Sequence, residues 1–181
     1  AIRLSSGACA RAGAGLTSVI TRPDNALSIV TMRPEIMTIG WPASSKILID
    51  KLAWSDVVIL GPGLGTSDWG QSLFAQCHHI DKPCVVDADG LNLLAKAPDY
   101  RDNRIITPHP GEAARLLNVS IDEIEADRFA AIQRLQQNYG GVVVLKGAGT
   151  LIYDGKTLWI CTCGNPGMAT GGMGDVLSGI I

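Results

Sequence analysis

The sequence predicts an α/β protein with three layers, in which a mainly parallel sheet is covered by helices on both faces. Short apolar runs alternate along the chain with stretches of helical periodicity. The runs lack polar–apolar alternation, as is typical of strands that are buried on both faces. The chain has 181 residues, of which 46% are hydrophobic and 18% charged, which suits one domain with a well-filled core.

The predicted elements alternate from one end of the chain to the other. A helix continues through Ala12 and is followed by a strand at 16–20, and a last helix starts at Asp175. Ser120 and Glu123 form a capping-box pattern, which predicts a long helix to about Tyr139. The remaining strands are predicted at 57–60, 84–86, 104–107, 142–146, 150–153 and 157–161, the last two as a hairpin, and the remaining helices at 67–80, 91–95 and 111–117.

Composition excludes several classes of protein. A net charge of −2 gives no electrostatic case for nucleic acid or an anionic membrane as a partner. No apolar run approaches the roughly 18 residues of a spanning helix. Five scattered cysteines indicate a reducing compartment, and we expect all five to act as small apolar residues. Both ends of the sequence lie within predicted helices, so we expect residues 1–181 to form a single domain that is truncated at both ends.

Several polar or glycine-rich clusters follow predicted strands, where ligands bind in parallel sheets. The glycines of 61–65 indicate either a tight turn or a close approach to a bulky ligand. Asp87 is suited to hold Mg²⁺ through water, whereas capping of the next helix is the favoured role of Asp89. His109 lies between two prolines, which favours a ligand contact, and Glu112 can complement a helix dipole.

Two further clusters are suited to bind phosphate. Lys146 ends a buried strand and precedes a glycine-rich turn, so its ammonium and the turn can hold phosphate oxygens, unless it is a surface lysine of a hairpin loop. Glycines of 164–174 lead into a helix that starts at Asp175. The free N–H groups of that helix form an anion hole, where Asp175 can accept a proton from a substrate hydroxyl. If Asp175 were only the N-cap of this helix, the many glycines of 164–174 would have no explanation.

The chain resembles one known family in five motifs, which are ILGPGLG, VVDADGLNLL, TPHPGEAARLL, VVLKGAGTLI and GNPGMATGGMGDVLSG. The family is that of the ADP/ATP-dependent NAD(P)H-hydrate dehydratases, which form the carbohydrate-kinase-like domain of the ribokinase superfamily. The resemblance covers essentially the whole chain and implies a ribokinase-like fold. One local difference is Met173, where many members have Thr.

The resemblance implies repair of hydrated nicotinamide cofactors. Phosphorylation of the C6 hydroxyl of (S)-NAD(P)HX, followed by elimination of phosphate, restores NAD(P)H. Asp175 is the implied catalytic base and also contacts the substrate, and backbone N–H groups of Gly172, Met173 and Gly174 are the implied anion hole. The other implied contacts are Lys146, Gly147, Ala148, Gly149, Thr150 and Gly174 for the nucleotide, Gly63, Gly65 and His109 for the substrate, and Asp87 and Asn165 for the metal.

The resemblance further implies ADP or ATP as co-substrate, with Mg²⁺. We expect a homo-oligomer, a fused or separate NAD(P)H-hydrate epimerase as partner, and, for a bacterial source, a cytoplasmic location. Two alternatives stay open. One is a small-molecule kinase of the same superfamily, such as a hydroxymethylpyrimidine or hydroxyethylthiazole kinase, whose product is a stable phosphate ester. The other is a nucleotide-binding domain without turnover that acts through a partner.

Overall fold

The computed structural model describes residues 1–41 and 45–181. Within these ranges helices and strands alternate for most of the chain. In chain order the elements are α1 (Ile2–Ala12), β1 (Ser18–Thr21), α2 (Pro23–Val30), β2 (Met37–Gly40), α3 (Ser45–Trp54), β3 (Val58–Leu60), α4 (Asp68–Cys77), β4 (Cys84–Val86), α5 (Asp89–Lys96), β5 (Arg104–Ile106), α6 (Pro110–Leu117), α7 (Ile121–Ala126), α8 (Arg128–Tyr139), β6 (Val142–Leu145), β7 (Leu151–Tyr153), β8 (Leu158–Ile160), a 3₁₀ helix (Pro166–Met168) and α9 (Met173–Ile180).

In the described part of the chain, six strands form the main sheet, in the order β3-β4-β5-β6-β7-β8. Strands β3 to β6 are parallel to one another, and β7 and β8 add the antiparallel hairpin that the sequence predicts. Strands β1 and β2 form a separate parallel pair. The predicted α/β class with a mainly parallel sheet is confirmed. Because β3 to β6 are parallel, the loops that follow them meet at one edge of the sheet.

The core lies between the sheet and its helices. Its fully buried members include Leu94, Ile106 and Ile132. Each such aliphatic side chain stabilises the fold by about 1.5–3 kcal/mol through burial. The one polar atom of Tyr139 is satisfied inside this core, because its hydroxyl donates to the Leu116 carbonyl at 2.8 Å. The apolar strands therefore form a dry scaffold, and the polar groups gather in the loops at its edge.

Helix α2, strand β2 and helix α3 are elements that the sequence reading did not identify. Strand β2 is only partly buried and contains Thr38 and Gly40, so it carries no apolar run of the kind that marks the central strands. Helix α2 has Pro23 in its first turn, which was the available signal for a helix start. Strand β2 pairs with β1 and packs against α2, and Arg22, which precedes α2, donates to the Ser67 hydroxyl at 2.6 Å in the loop after β3.

The long helix predicted from Ser120 to Tyr139 is wrong, because the chain breaks at Asp127. Asp127 ends α7 and caps α8, and its Oδ1 accepts a hydrogen bond from the N–H of Ala130 at 2.9 Å. The capping box at the start of α7 is confirmed, since Ser120 Oγ accepts from the N–H of Glu123 at 3.1 Å. The break makes Arg128 the first residue of α8.

We expect Ser120→Ala to lower the free energy of unfolding by about 1 kcal/mol, because it removes the acceptor of an otherwise unpaired helix N–H. Chemical denaturation measures the loss. Ser120→Thr keeps the hydroxyl and is the matched control. Equal stability of the Ala variant and the parent protein would contradict the capping role.

Four of the five cysteines fall into a buried and an exposed group, and the fifth, Cys9, is partly buried. Burial raises the pKa of Cys77 and of Cys84 to about 12, so both remain neutral thiols and act as small apolar residues, as predicted. Cys161 and Cys163 are exposed, because β8 ends at Ile160 and the chain leaves the sheet there. The prediction of a small apolar role is therefore wrong for these two.

A cavity of about 620 Å³ separates the two sheets. Residues of β1 and β3 line it, together with residues of α1 and α3. Its lining, within the part of the chain that the structure describes, includes none of the residues that the sequence marks as a site. The cavity therefore lies away from the loops that follow β4, β5 and β6.

Helices α1 and α9 pack closely against each other. Gly179 is required at their contact, because a Cβ atom there would collide with the carbonyl oxygen of Ser5. Ser5, Ser6 and Gly7 of α1 are buried. Small residues on both helices thus let the two backbones approach and fix the position of α9. In residues 1–41 and 45–181, no helix combines the length and the apolar character that crossing a membrane requires.

Candidate active site

Loops from three neighbouring strands bring one lysine against two carboxylates. Lys146 follows β6, and its Nζ lies 2.8 Å from Oδ1 of Asp87, which follows β4. The same Nζ lies 3.7 Å from Oε2 of Glu112, in the first turn of α6 after β5. Both carboxylates are almost fully buried, so this is a desolvated charge cluster at the carboxyl edge of the sheet. The sequence does not reveal the contact, because it depends on the register of three parallel strands.

Asp87 is 1% exposed, and both of its carboxylate oxygens have protein partners. Oδ2 lies 2.7 Å from the Ser178 hydroxyl, which also lies 3.0 Å from the Gly174 carbonyl. Burial by itself raises the pKa of Asp87, but the charge of Lys146 and hydrogen bonds from Lys146, Ser178 and Thr107 outweigh it and hold the pKa below its usual value. Asp87 is therefore ionised and anchors the ammonium of Lys146.

The first turn of α9 lies beside this ammonium. A Cβ atom at Gly174 would come within 3.3 Å of Lys146 Nζ and 3.7 Å of Asp87 Oδ2. Gly172 caps the helix with a φ of 93°, and a side chain there would collide with Leu4. Asp175 lies in the same turn. A cation and a helix N-terminus therefore meet at one place, which is the arrangement that binds phosphate.

The predicted anion hole of Gly172, Met173 and Gly174 coincides with this turn. The N–H of Met173 donates to the Thr170 carbonyl at 3.3 Å, a long hydrogen bond that a phosphate oxygen can replace. Gly172 at the cap and Gly174 in the first turn therefore do more than end a loop, since they let the backbone come close to Leu4 and Lys146 respectively.

The loop after β6 is closed by its own hydrogen bonds. Thr150 Oγ1 donates to the Gly147 carbonyl at 3.0 Å and accepts from the Gly147 N–H at 3.3 Å. Arg128 holds the loop from outside, because its guanidinium donates to the carbonyls of Ala148 at 2.7 Å and Leu145 at 3.2 Å. The predicted nucleotide loop, which also includes Gly149, is thus fixed by a residue that sequence reasoning missed. No local sequence pattern indicates this role, because the break at Asp127 that makes Arg128 the first residue of α8 does not show in the helical period.

His109 is the N-cap of α6. Its Nδ1 accepts from the N–H of Gly111 at 3.0 Å, so the proton of the neutral ring resides on Nε2. Glu112 completes a capping box, since its Oε2 accepts from the His109 N–H at 2.8 Å. The sequence predicts Glu112 only as a complement to the helix dipole, and the structure shows that its side chain also accepts a hydrogen bond from the backbone. The His109 side chain is still 51% exposed, so its ring is accessible to a ligand, and the predicted substrate contact stays a prediction.

The glycine loop after β3 carries Gly63 and Gly65. Both have positive φ values, 69° and 73°, which confirms a tight turn that favours glycine. The N–H of Gly65 donates to Asp89 Oδ2 at 2.8 Å. The predicted capping role of Asp89 is wrong, because α5 has Ala88 at its cap and no side-chain capping bond. A Cβ atom at Gly65 would meet no atom within 4 Å, whereas one at Gly63 would lie 3.0 Å from the Cβ of Ala1, so the loop faces open space at Gly65 only.

Asn165 caps the 3₁₀ helix, and its Oδ1 accepts from the Gly167 N–H at 2.9 Å. Its pairing with Asp87 at a metal stays a prediction. A second cluster consists of His78, His79 and Asp99, whose ligand atoms lie within 4.8 Å of one another. Arg101 already occupies this cluster, since its guanidinium lies 2.7 Å from Asp99 and 2.8 Å from His79 Nδ1. We therefore assign that cluster to the support of the fold.

The family model described as NAD(P)H-hydrate dehydratase matches residues 1–181. The chain belongs to the NAD(P)H-hydrate dehydratase family. A curated relative, the bifunctional NAD(P)H-hydrate repair enzyme of Vibrio cholerae, is 52% identical over 181 residues. The match covers all of this chain and 36% of the relative, so the chain spans little more than a third of that protein.

Solved structures confirm the ribokinase-like fold of this dehydratase-family chain. A ribokinase-like superfamily protein of Enterococcus faecalis is 34% identical with a TM-score of 0.88, over 99% of this chain and 64% of that one. The ADP/ATP-dependent NAD(P)H-hydrate dehydratase of Bacillus subtilis, co-crystallised with ATP/Mg²⁺ and soaked with CoA, is 28% identical with a TM-score of 0.80, over 98% of this chain and 66% of that one.

Proposed function

We propose that this chain carries out the nucleotide-dependent dehydration of (S)-NAD(P)HX to NAD(P)H. The observation that supports it best is the position of Lys146 Nζ against the first turn of α9, which also carries Asp175. A phosphoryl group held between this ammonium and the helix N-terminus would lie next to a carboxylate base. That is the set of groups that phosphoryl transfer to a hydroxyl requires.

The reaction proceeds in two steps. In the first, Asp175 accepts the proton of the C6 hydroxyl while the hydroxyl oxygen bonds to the terminal phosphorus and the bond to the rest of the nucleotide breaks. Lys146 and the N–H groups at the start of α9 stabilise the negative charge on the phosphoryl oxygens. In the second step, the C6–O bond breaks and phosphate leaves, and the proton on C5 passes to water while its C–H electron pair forms the C5–C6 double bond of the nicotinamide ring.

The acidic groups of the site fit a magnesium ion by charge. Asp87 and Glu112 bring two carboxylates to Lys146, Asp175 adds a third in the first turn of α9, and bound nucleotide phosphates add further negative charge. Mg²⁺ prefers one or two carboxylates together with phosphates and water. Both oxygens of Asp87 are engaged by Lys146 and Ser178, so Asp87 would hold the ion through water, with the exposed amide of Asn165 as the other predicted ligand. The ion would neutralise phosphate charge.

The direct test is incubation with NADPH hydrate, Mg²⁺ and either ADP or ATP. We expect absorbance at the reduced-nicotinamide band to rise and free phosphate to appear in equal amount, with no change when the nucleotide is omitted. A small-molecule kinase would consume nucleotide and form a stable phosphate ester only when its own alcohol substrate is added, and it would not restore the absorbance. A binding domain without turnover would do neither, and either result would refute the proposal.

We also propose a homo-oligomer, an NAD(P)H-hydrate epimerase as fused or separate partner, and a cytoplasmic location. The V. cholerae relative is named as a bifunctional repair enzyme, which supports a second activity in the same polypeptide. All five cysteines are free, which supports a reducing compartment. Light scattering of the full-length protein, together with an epimerase assay, tests the first two proposals.

A further inference from the structure

The chain reverses direction directly after β4 in an unusual turn. The N–H of Gly90 donates to the Asp87 carbonyl at 2.9 Å, and Ala88 has a φ of 49° and a ψ of −119°. This is the conformation of the first central residue of a type II′ turn, which normally requires glycine. An alanine there costs about 1–3 kcal/mol of backbone strain, so the surrounding contacts must hold the turn in place.

The turn directs its two aspartates to different loops. Asp87 binds Lys146 and Ser178 on the nucleotide side. Asp89 accepts a hydrogen bond from the Gly65 N–H at 2.8 Å, in the loop after β3. A helical or extended Ala88 would change the relative direction of these carboxylates, because it would rotate the backbone between them. The strained conformation therefore allows one short segment to contact both loops.

The glycine loop is fixed to the turn at a second point. A Cβ atom at Gly61 would collide with the Asp87 carbonyl oxygen, and one at Gly90 would lie 2.6 Å from the Leu60 carbonyl oxygen. The two backbones are thus in direct contact where the loop begins. The hydrogen bond from the Gly65 N–H to Asp89 fixes the other end of the loop. Between these points, Gly63 is exposed with a left-handed backbone.

We propose that Asp89 is a positioning residue, which holds the Gly61–Gly65 loop in the conformation that receives the hydrated nicotinamide ring. The proposal rests on the proposed function for the identity of the ligand. Asp89 contacts the loop, whereas Asp87 contacts the lysine of the nucleotide site. Loss of its bond would therefore weaken substrate binding without slowing the chemical step or changing the nucleotide site.

The test compares Asp89→Ala, Asp89→Asn and Asp68→Ala. Asn keeps an oxygen that accepts from Gly65, and Asp68 is an exposed carboxylate at the start of α4 that serves as the matched control. For Asp89→Ala we expect the KM for NADPH hydrate to rise on the order of 10-fold, with kcat and nucleotide Kd unchanged. Hydrogen exchange at the Gly65 amide should accelerate in the same variant. Asp89→Asn and Asp68→Ala should resemble the parent protein in all four quantities.

The outcomes separate this proposal from the proposed function. An unchanged KM and unchanged Gly65 exchange in Asp89→Ala would overturn the positioning role while the dehydratase activity stands. A fall in kcat or in nucleotide affinity, with KM unchanged, would overturn it as well, since it would indicate general disruption of the site. If the parent protein binds no NADPH hydrate, the proposed function fails, and Gly65 exchange still decides whether Asp89 holds the loop.

Discussion

We expect Asp175→Asn to lower turnover by about 100- to 10,000-fold, while nucleotide binding persists. Asparagine has the same size as aspartate, but it cannot accept the substrate proton. The glycine cap at Gly172 and the ammonium of Lys146 remain, so the phosphate site is preserved. Single-turnover kinetics with NADPH hydrate measures the loss, and calorimetric titration with ADP or ATP measures the retained binding.

The matched control is Asp122→Asn, which removes an exposed carboxylate from the first turn of α7. It should leave turnover unchanged. Normal turnover of the Asp175 variant would exclude this residue as the base. A parallel loss of nucleotide binding would mean that Asp175 supports the phosphate site itself.

The second large effect is expected for Lys146→Ala. Removal of the lysine ammonium leaves the Asp87 carboxylate without a counter-charge, and the Asp87 side chain is only 2% exposed. Breaking such a buried pair costs about 3–5 kcal/mol of folding stability. Nucleotide binding should weaken strongly, whereas binding of the hydrated cofactor should change little. His109→Ala should show the reverse, since its exposed ring lies on the predicted substrate side. Calorimetric titration of both ligands into both variants tests this division of the site.

A double variant separates stability from binding. Lys146→Met with Asp87→Asn removes both charges, so much of the lost stability should return while nucleotide binding stays weak. Equal loss of both ligands in each single variant would contradict two separate subsites. Full nucleotide affinity of the double variant would show that the lysine does not contact phosphate.

The pH dependence of stability gives an independent check of the Lys146 contact. The pKa of Asp87 is lowered in the folded protein, so its stabilising contribution is complete above its usual pKa of 3.8 and is lost as the pH falls through the lower folded value. In Lys146→Ala, burial without the ammonium should raise this pKa instead. The free energy of unfolding of the variant should then rise as the pH is lowered from 7 to 5. In the parent protein, Asp87 should contribute no such rise.

Much of the fold could be predicted because the central strands and several caps depend on local sequence. Strand β4 is fully buried, and its apolar run predicts it at the observed residues. The break at Asp127 could not be predicted from the helical period, because the residues on both sides of it favour helix. The contact between Lys146 and Glu112 could not be predicted from the sequence, because it depends on the strand order of the sheet. The contact of Asp89 could not be predicted either. Capping is inferred from neighbouring residues in the sequence, whereas the partner of Asp89, the Gly65 N–H, lies in the loop after another strand.

The packing of α1 against α9 has a consequence for the order of folding. These helices lie at opposite ends of the sequence, so closing the intervening chain costs entropy before their contacts are gained. We therefore expect them to join late, after the parallel strands have paired. The first turn of α9 takes its place beside Lys146 only in that last step. Nucleotide binding would then select the completely folded chain, and each tenfold excess of nucleotide over Kd would raise its stability by about 1.4 kcal/mol.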